Sequence, residues 1–365
     1  MIALVAIVPL VLAGGSPSRC AARNGGAADA ALGSSDPFKP PDSKATELNA
    51  AGKVLYRQGK WDEARAQYRA ALAADPSFLA PRLNVACSFV RQERFAEATA
   101  EVRALLERAY VPWAREVLEA ADLGALKARP EMGEIRRALA DTAAKWGQGL
   151  DESLLFVGRQ KPPLRVPEKG EGVFILNPHQ ELYAYAPATG QYRQLTADDG
   201  RVLLVARSPD RRRAVYVTAE KLFRGRRSDD IALRGVVLGE LTLASMAVAP
   251  PLRIEGDVRR IEVVTTARGL AFRIDGTERS GLFARDSADV LLQLPAKLRA
   301  SKPLAVLTPA GAAVAPPQAL AGSCRGTARD TTAAGIPVVT VALQGAAPRS
   351  VGSQFGAGLT GLPLH

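Results

Sequence analysis

Few residues in this chain could do chemistry. Its 365 residues include two histidines, His179 beside the turn proline Pro178 and His365 at the C-terminus, and three cysteines, Cys20, Cys87 and Cys324. A Ser-His-Asp or Cys-His arrangement would need His179 at its centre, yet the sequence holds no Gly-x-Ser-x-Gly elbow to bring a nucleophile to it. No His or Cys pair has zinc-ligand spacing, and no Gly-x-x-x-x-Gly-Lys-Ser/Thr loop is present to cradle phosphate. The acidic pairs Asp198-Asp199 and Asp229-Asp230 fit solvated turns better than a calcium loop. The inventory therefore predicts a protein that is not an enzyme and that needs no cofactor and no metal.

Charge is the more distinctive resource. There are 48 Lys and Arg against 37 Asp and Glu, a formal net charge of +11. Between Arg201 and Arg234 ten basic residues face Asp210, Glu220, Asp229 and Asp230, a local net of +6. Within that run Arg207, Arg211, Arg212, Arg213, Arg224, Arg226 and Arg227 form a candidate basic patch. Arginine supplies phosphate contacts whose strength falls with salt. Only Tyr216 and Phe223 lie between the charges, which argues against single-stranded nucleic acid, whose bases need aromatic platforms. An ordinary solvated surface is the first reading of this patch; if the chain is exported, anionic membrane lipid, an acidic cell-envelope polymer or an acidic protein is the counter-surface expected in place of nucleic acid.

The elements that would position a binding site begin at Ala45. Leu48, Ala51, Gly52 and Leu55 recur at three- and four-residue steps, Gly59 breaks the run, and Ala64, Tyr68, Ala71 and Leu72 restart it before Pro76 closes it. That predicts two amphipathic helices joined by a tight turn. Small residues at Gly52, Ala64 and Ala71 let the helices approach, and Tyr68 fills the space between them. A shift of 34 positions lays Val85 on Ala51, Ala86 on Gly52, Phe89 on Leu55, Ala98 on Ala64, Val102 on Tyr68 and Leu105 on Ala71, so apolar character survives at every position. Trp113 to Leu126 and Glu131 to Ala144 read as a degenerate third pair, with Pro130 at the connecting turn.

Together these residues resemble a tetratricopeptide repeat, whose period is about 34 residues. The resemblance implies a protein-binding scaffold in which the first helix of each pair lines a concave face. On those offsets the chain carries Asn49, Lys53, Arg57, Asn84 and Arg91. Some members of the family grip a peptide C-terminal carboxylate with Lys and Asn there. Here Asn84 matches that pattern, Asn49 and Lys53 occupy each other's expected positions, and the third unit offers Ala114 and Leu118 in place of cations, so a complete clamp is not expected.

The rest of the chain reads as follows. Residues 1–13 form an apolar run too short to span a bilayer and of the length of a signal-peptide core, which predicts export to a periplasm or cell envelope. Pro17, Ser18 and Arg19 before Cys20 do not make a lipobox, so no lipid anchor is expected. Residues 14–43 are a Gly/Ala/Ser/Pro-rich spacer, 44–146 the helical array, 147–172 a linker with a first strand, 173–344 a β-rich domain and 345–365 a loosely ordered tail. In the β half, short β-branched runs alternate with turn signals. The stretch from Glu181 to Ala219 carries a Thr189-Gly190 turn, Leu195-Thr196 and then Ser208-Pro209-Asp210 before a strand. It resembles one blade of a TolB-type, WD40-like β-propeller, with Arg207 in place of the usual Trp and Arg211 in place of the usual Gly. A partial propeller and an open antiparallel sheet packed on the helices both satisfy the pattern. The expected fold class is thus multidomain α and β. The expected function is an exported, non-enzymatic adaptor, with a polyanion- or membrane-surface module and an eroded hydrolase-type propeller as alternatives.

Overall fold

The computed structural model describes residues 41–159, 172–175, 180–186, 189, 191–197, 201–225, 231–309, 311–314, 318–320, 326–333, 336–343 and 349–351. The N-terminal apolar run, the spacer up to residue 40 and the end of the tail lie outside them.

Among the described residues, seven α-helices come first. Helix α1 (Ser43–Arg57) starts where the Asp42 carboxylate accepts hydrogen bonds from the backbone N–H groups of Lys44, at 2.8 Å, and Ala45, at 3.4 Å. Helix α2 (Trp61–Ala74) places Asp62 and Glu63 in its first turn, where their charge complements the positive end of the helix dipole. Helix α3 spans Ala80–Val90 and α4 Phe95–Arg108. The limits of α4 are those of α2 moved by 34 residues, as the sequence period requires.

The turns repeat as closely as the helices. The N–H groups of Gln58, Gly59 and Lys60 donate to Leu55, Tyr56 and Leu55, and those of Gln92, Glu93 and Arg94 donate to Phe89, Val90 and Phe89. Gly59 turns the first corner with φ +76°, and Glu93 turns the second with φ +57°. A non-glycine residue is strained in that left-handed region. The second unit therefore keeps the turn of the first without the residue that suits it.

Side-chain volumes also trade places between the units. Tyr68 is buried against Gly52, where a Cβ would come within 2.5 Å of the tyrosine ring. The corresponding pair in the second unit is Ala86 and Val102, both fully buried. A larger first residue is matched by a smaller second one. The remaining packing positions of the first pair, Ala64 and Ala71, are fully buried, as is Ala98 at the equivalent of Ala64. Pro76, at the end of the unit, has its carbonyl accepting from Arg108 Nη1 at 3.2 Å.

The third unit departs from the period. Its first helix, α5 (Tyr110–Glu119), ends at Ala120, and the chain continues through a tight turn of helix, Ala121–Leu123, into the short α6 (Gly124–Lys127). Leu123 and Leu126 join the same core as α3 and α4. The last helix, α7 (Glu131–Gly147), follows directly on Pro130 and is longer than α2 or α4.

The strands form four antiparallel sheets, apart from one isolated parallel bridge between Gln180 and Arg201. The first sheet has the order β1 (Leu154–Arg159), β3 (Gln180–Ala186), β4 (Gln191–Gln194). The second has β5 (Val202–Arg207), β6 (Arg213–Thr218) and β9 (Val236–Thr242), with both β10 (Ala247–Val248) and β11 (Leu252–Ile254) on the far edge of β9. The third, of nine strands, runs from β15 (Leu291–Gln293) through β14 (Ser280–Arg285), β13 (Gly269–Gly276), β12 (Val258–Thr266), β8 (Ile231–Arg234) and β7 (Lys221–Arg224) to β2 (Gly172–Ile175). The hairpin β16 (Ala305–Thr308) and β17 (Gly311–Val314) joins it at β12. The fourth contains β18 (Gln318–Leu320), β19 (Gly326–Ala333), β20 (Ile336–Leu343) and β21 (Arg349–Val351). Strand β21 falls inside the segment expected to be a loose tail.

The stretch from Glu181 to Ala219 does not form one blade. Its first hairpin, β3 and β4, belongs to the first sheet, and its second, β5 and β6, to the second sheet. The continuous meander is instead β5, β6, β9, β11, with the hairpin of β7 and β8 inserted between β6 and β9 and paired elsewhere. A local phrase marks the turn between strands but leaves open which hairpins are neighbours, because pairing across the insertion is decided by non-local burial.

The second sheet is a middle layer. Val215 and Val217 on one of its faces join a core with Ile261, Val263, Phe272 and Ile274 of the third sheet, while Ala214 and Tyr216 on the other face join Leu155, Val157 and Leu182 of the first. Burial on both faces is why VLLVAR and RAVYVT read as nearly continuous apolar runs rather than alternating ones.

That second core also contains the end of the helical array. Trp146, 1% exposed, and Leu150 pack among the strands, with Tyr110, Val111 and Ala143 against them. Gly147 sits so close to the turn after β9 that a Cβ would lie 2.3 Å from the Ala244 carbonyl oxygen. Gly149, with φ +69°, then turns the chain into the Leu150–Glu152 turn and β1. The expected domain boundary at Gly147 and Gly149 is thus a tight corner with a core shared across it.

Candidate partner-binding site

The concave face was expected on α1 and α3, and its five candidate residues divide into two kinds. Asn49 is buried, and Asn84 Nδ2 donates to its Oδ1 at 2.8 Å across the two helices. Arg91, at the end of α3, donates from Nε to the Tyr56 hydroxyl at 2.9 Å and from Nη2 to Asp122 Oδ1 at 2.7 Å. Its guanidinium also lies over the Tyr56 ring, 5.9 Å from the centroid. The hydrogen bonds that Arg91 donates to Tyr56 and to Asp122 push its pKa upward. By contrast Lys53 and Arg57 are exposed and one turn apart on α1, with no ion pair among the described residues.

The polar stripe is narrow because α3 is buried around most of its circumference. Leu83, Val85, Ala86, Cys87, Ser88, Phe89 and Val90 are all inside. What remains open is Asn84, already bonded to Asn49, and Arg91, already bonded to Tyr56 and Asp122. The free cationic edge of this face is therefore Lys53 with Arg57, flanked by Arg91. Tyr56 and Asp122 were not foreseen. A signal for the first existed, since Asn49 with Asn84 and Tyr56 with Arg91 are both separated by 35 residues, one more than the period.

The basic run in the β half has a different fate. Arg207 donates from Nη1 to the Asp151 carbonyl at 2.8 Å and from Nη2 to the Leu150 carbonyl at 2.9 Å. Arg211 Nε reaches the Asp151 carbonyl at 2.6 Å. Arg193, outside the predicted patch, donates to the carbonyls of Trp146 at 2.6 Å and Gln148 at 2.7 Å. Three guanidiniums from the sheets thus gather on the carbonyls that end α7 and form the next turn, where the helix leaves unpaired acceptors and the negative end of its dipole. Burial pushes Arg207 down to about 9, which leaves it charged at neutral pH.

Arg213 pairs with Glu240 at 2.8 Å, and Arg224 is half-buried on β7. Arg212 alone of the Arg211 to Arg213 triplet is exposed. Arg226 and Arg227 lie outside the described residues, as do His179, His365, Cys20, Cys324 and both acidic pairs. The described part of the patch is a fastening between halves more than an open cationic surface. At its centre the Ser208-Pro209-Asp210 turn is well formed: Ser208 Oγ accepts from the Arg213 N–H at 2.9 Å and Asp210 Oδ1 from the Arg212 N–H at 3.1 Å. Arg211 occupies φ +61°, the left-handed position that glycine would suit, so the turn keeps its shape despite the substitution.

Among the described residues no group of three or more His, Cys, Asp and Glu side chains could hold a metal ion, and Cys87 is buried with its thiol pushed up to about 12. No helix among them is long and apolar enough to cross a membrane.

Residues 45–78 match the tetratricopeptide repeat family model. The match coincides with α1, α2 and the turn after them, and the limits of α4, equal to those of α2 moved by 34 residues, with the equal turn bonds between α3 and α4 extend the same architecture to a second unit. Tetratricopeptide repeats in general mediate protein-protein interaction, and one such unit is matched at residues 45–78. No curated protein and no solved structure matches the chain.

Proposed function

We propose that this protein is an exported, non-enzymatic adaptor of a bacterial cell envelope. Its short tetratricopeptide array docks a protein partner, and its β half, which shares a core with the end of the array, carries further contacts. The observation that carries the reading is the tetratricopeptide unit at residues 45–78, repeated by α3 and α4 and set against the sheets through Trp146. Its free edge, Lys53 and Arg57 beside Arg91, suits an acidic segment of the partner, since the Asn49 to Asn84 bond withdraws the amides that a carboxylate clamp would use. The apolar run of residues 1–13 motivates export. The Ser208-Pro209-Asp210 turn motivates the finer likeness of the β half to TolB-type repeats. The polyanion-surface reading is weakened by the contacts of Arg207, Arg211 and Arg213.

The test is co-purification of partners with the full chain and with a Lys53→Glu/Arg57→Glu variant. The adaptor reading expects the variant to lose its principal protein partner, by roughly tenfold or more in recovered material, as for charge reversal at a docking edge. Unchanged recovery, or retention on heparin that depends on Arg212, would favour the other surface.

A further inference from the structure

On the side of α3 opposite the Asn84 and Arg91 stripe, three cations converge on one aromatic ring. The guanidinium carbons of Arg65, Arg94 and Arg69 lie 4.5, 4.7 and 5.9 Å from the centroid of Phe89. Phe89 is nearly buried, so the ring is a fixed platform. Stacking uses the flat face of a guanidinium and leaves its N–H donors directed outward around the edge.

The donors of the three arginines are unequally satisfied. Arg65, 4% exposed, donates to the Ser88 carbonyl at 3.4 Å and to the Asp62 carboxylate. Arg94 donates to the Glu97 carboxylate from Nε at 2.8 Å and from Nη2 at 2.7 Å, with both side chains about half exposed. Arg69 is exposed and has no hydrogen-bond or ion-pair partner among the described residues. The other polar group facing the cluster is Gln92, whose amide donates to Asp62 at 3.1 Å. Three positive charges therefore meet two negative ones. The pair holding Arg94 is solvent-exposed, and such pairs exchange readily with other anions. Arg69 therefore has donors without a partner among the described residues, and Arg94 has donors held only by this exposed pair, both beside the ring that also meets the buried Arg65.

We infer that Arg69 and Arg94, gathered with Arg65 around Phe89, form an oxyanion-binding site that takes a carboxylate or phosphate group borne by a protein partner. It lies on the face away from the Lys53 and Arg57 edge, so a partner can engage the two faces separately. Arginine forks match the paired oxygens of either group, and the ring supplies orientation that isolated surface cations lack.

The experiment is calorimetric titration of the full chain with inorganic phosphate and with hexaglutamate at constant ionic strength. Saturable binding of at least one probe is expected. It should weaken about tenfold or more in Arg69→Gln/Arg94→Gln and persist in Lys53→Glu/Arg57→Glu, with circular dichroism unchanged in both. Tighter binding of hexaglutamate identifies a carboxylate-bearing segment, and tighter binding of phosphate a phosphorylated one. Equal affinity in wild type and Arg69→Gln/Arg94→Gln would overturn the inference, as would failure of both probes to saturate by about 50 mM. Loss of probe binding only in Lys53→Glu/Arg57→Glu would also overturn it, while leaving the adaptor reading intact.

Discussion

The first two helical units and the third make an instructive comparison. Units one and two share the limits of their second helices, the turn bonds and the sense of the corner residue, although Gly59 gives way to Glu93 and the Gly52–Tyr68 pair to Ala86–Val102. The third unit keeps neither the period nor the helix lengths. Its first helix breaks at Ala120, and its second runs on to Gly147. The difference follows from what each unit touches. The first two pack mainly on neighbours of the same kind, so a common geometry suits both. The third must end the stack on a β-sheet, so Trp146 is inserted between strands and arginines cover the carbonyls of the last turn.

The comparison is best broken at Trp146. Trp146→Ala removes a fully packed indole and the bond from its Nε1 to the Gln194 carbonyl at 2.9 Å. We expect a loss of about 3–5 kcal/mol. Urea unfolding should then show helical and sheet signals separating; a single unshifted transition would contradict the shared core.

The next effect compares the two regular units. Gly52→Ala drives a methyl into the Tyr68 ring and should cost about 1–3 kcal/mol. Adding Tyr68→Val converts the pair to the Ala86–Val102 arrangement of the second unit. The double variant should therefore be less destabilised than the sum of the singles, as read by a thermal-unfolding cycle.

Arg207→Ala leaves carbonyls at the α7 corner without their donor, for a cost of about 1–3 kcal/mol. Exposed Arg212→Ala should change stability by less than about 0.5 kcal/mol. Chemical denaturation of the two side by side separates a fastening from a surface charge. The smallest effect is at the second corner, where Glu93→Gly relieves the left-handed backbone and should raise stability by up to about 1 kcal/mol. A fall in melting temperature would mean that the Glu93 side chain contributes more than its backbone costs.

Much of the helical half was legible in the sequence because its contacts are local and periodic. Leu48 to Leu72 specify two faces, and the copy 34 residues later reports the same packing again. The strand content of the β half and the Ser208-Pro209-Asp210 turn were readable for the same reason: a turn depends on four or five adjacent residues. The grouping of hairpins was not, since β6 finds β9 across an inserted hairpin that pairs in another sheet.

The candidate site divides along the same line. The sequence alone determined which side chains occupy the concave offsets, Asn49, Lys53, Arg57, Asn84 and Arg91, because position on a helix follows from spacing. Only the tertiary structure decided their condition: Asn49 and Asn84 satisfy each other, Arg91 is held by Tyr56 and Asp122, and Lys53 and Arg57 stay open. It likewise decided that Arg207 and Arg211 serve the corner after α7 while Arg69 and Arg94 gather on Phe89. The sequence fixes an arginine's charge, but the groups that meet it come from elements far apart in the chain, and their meeting depends on how the layers close.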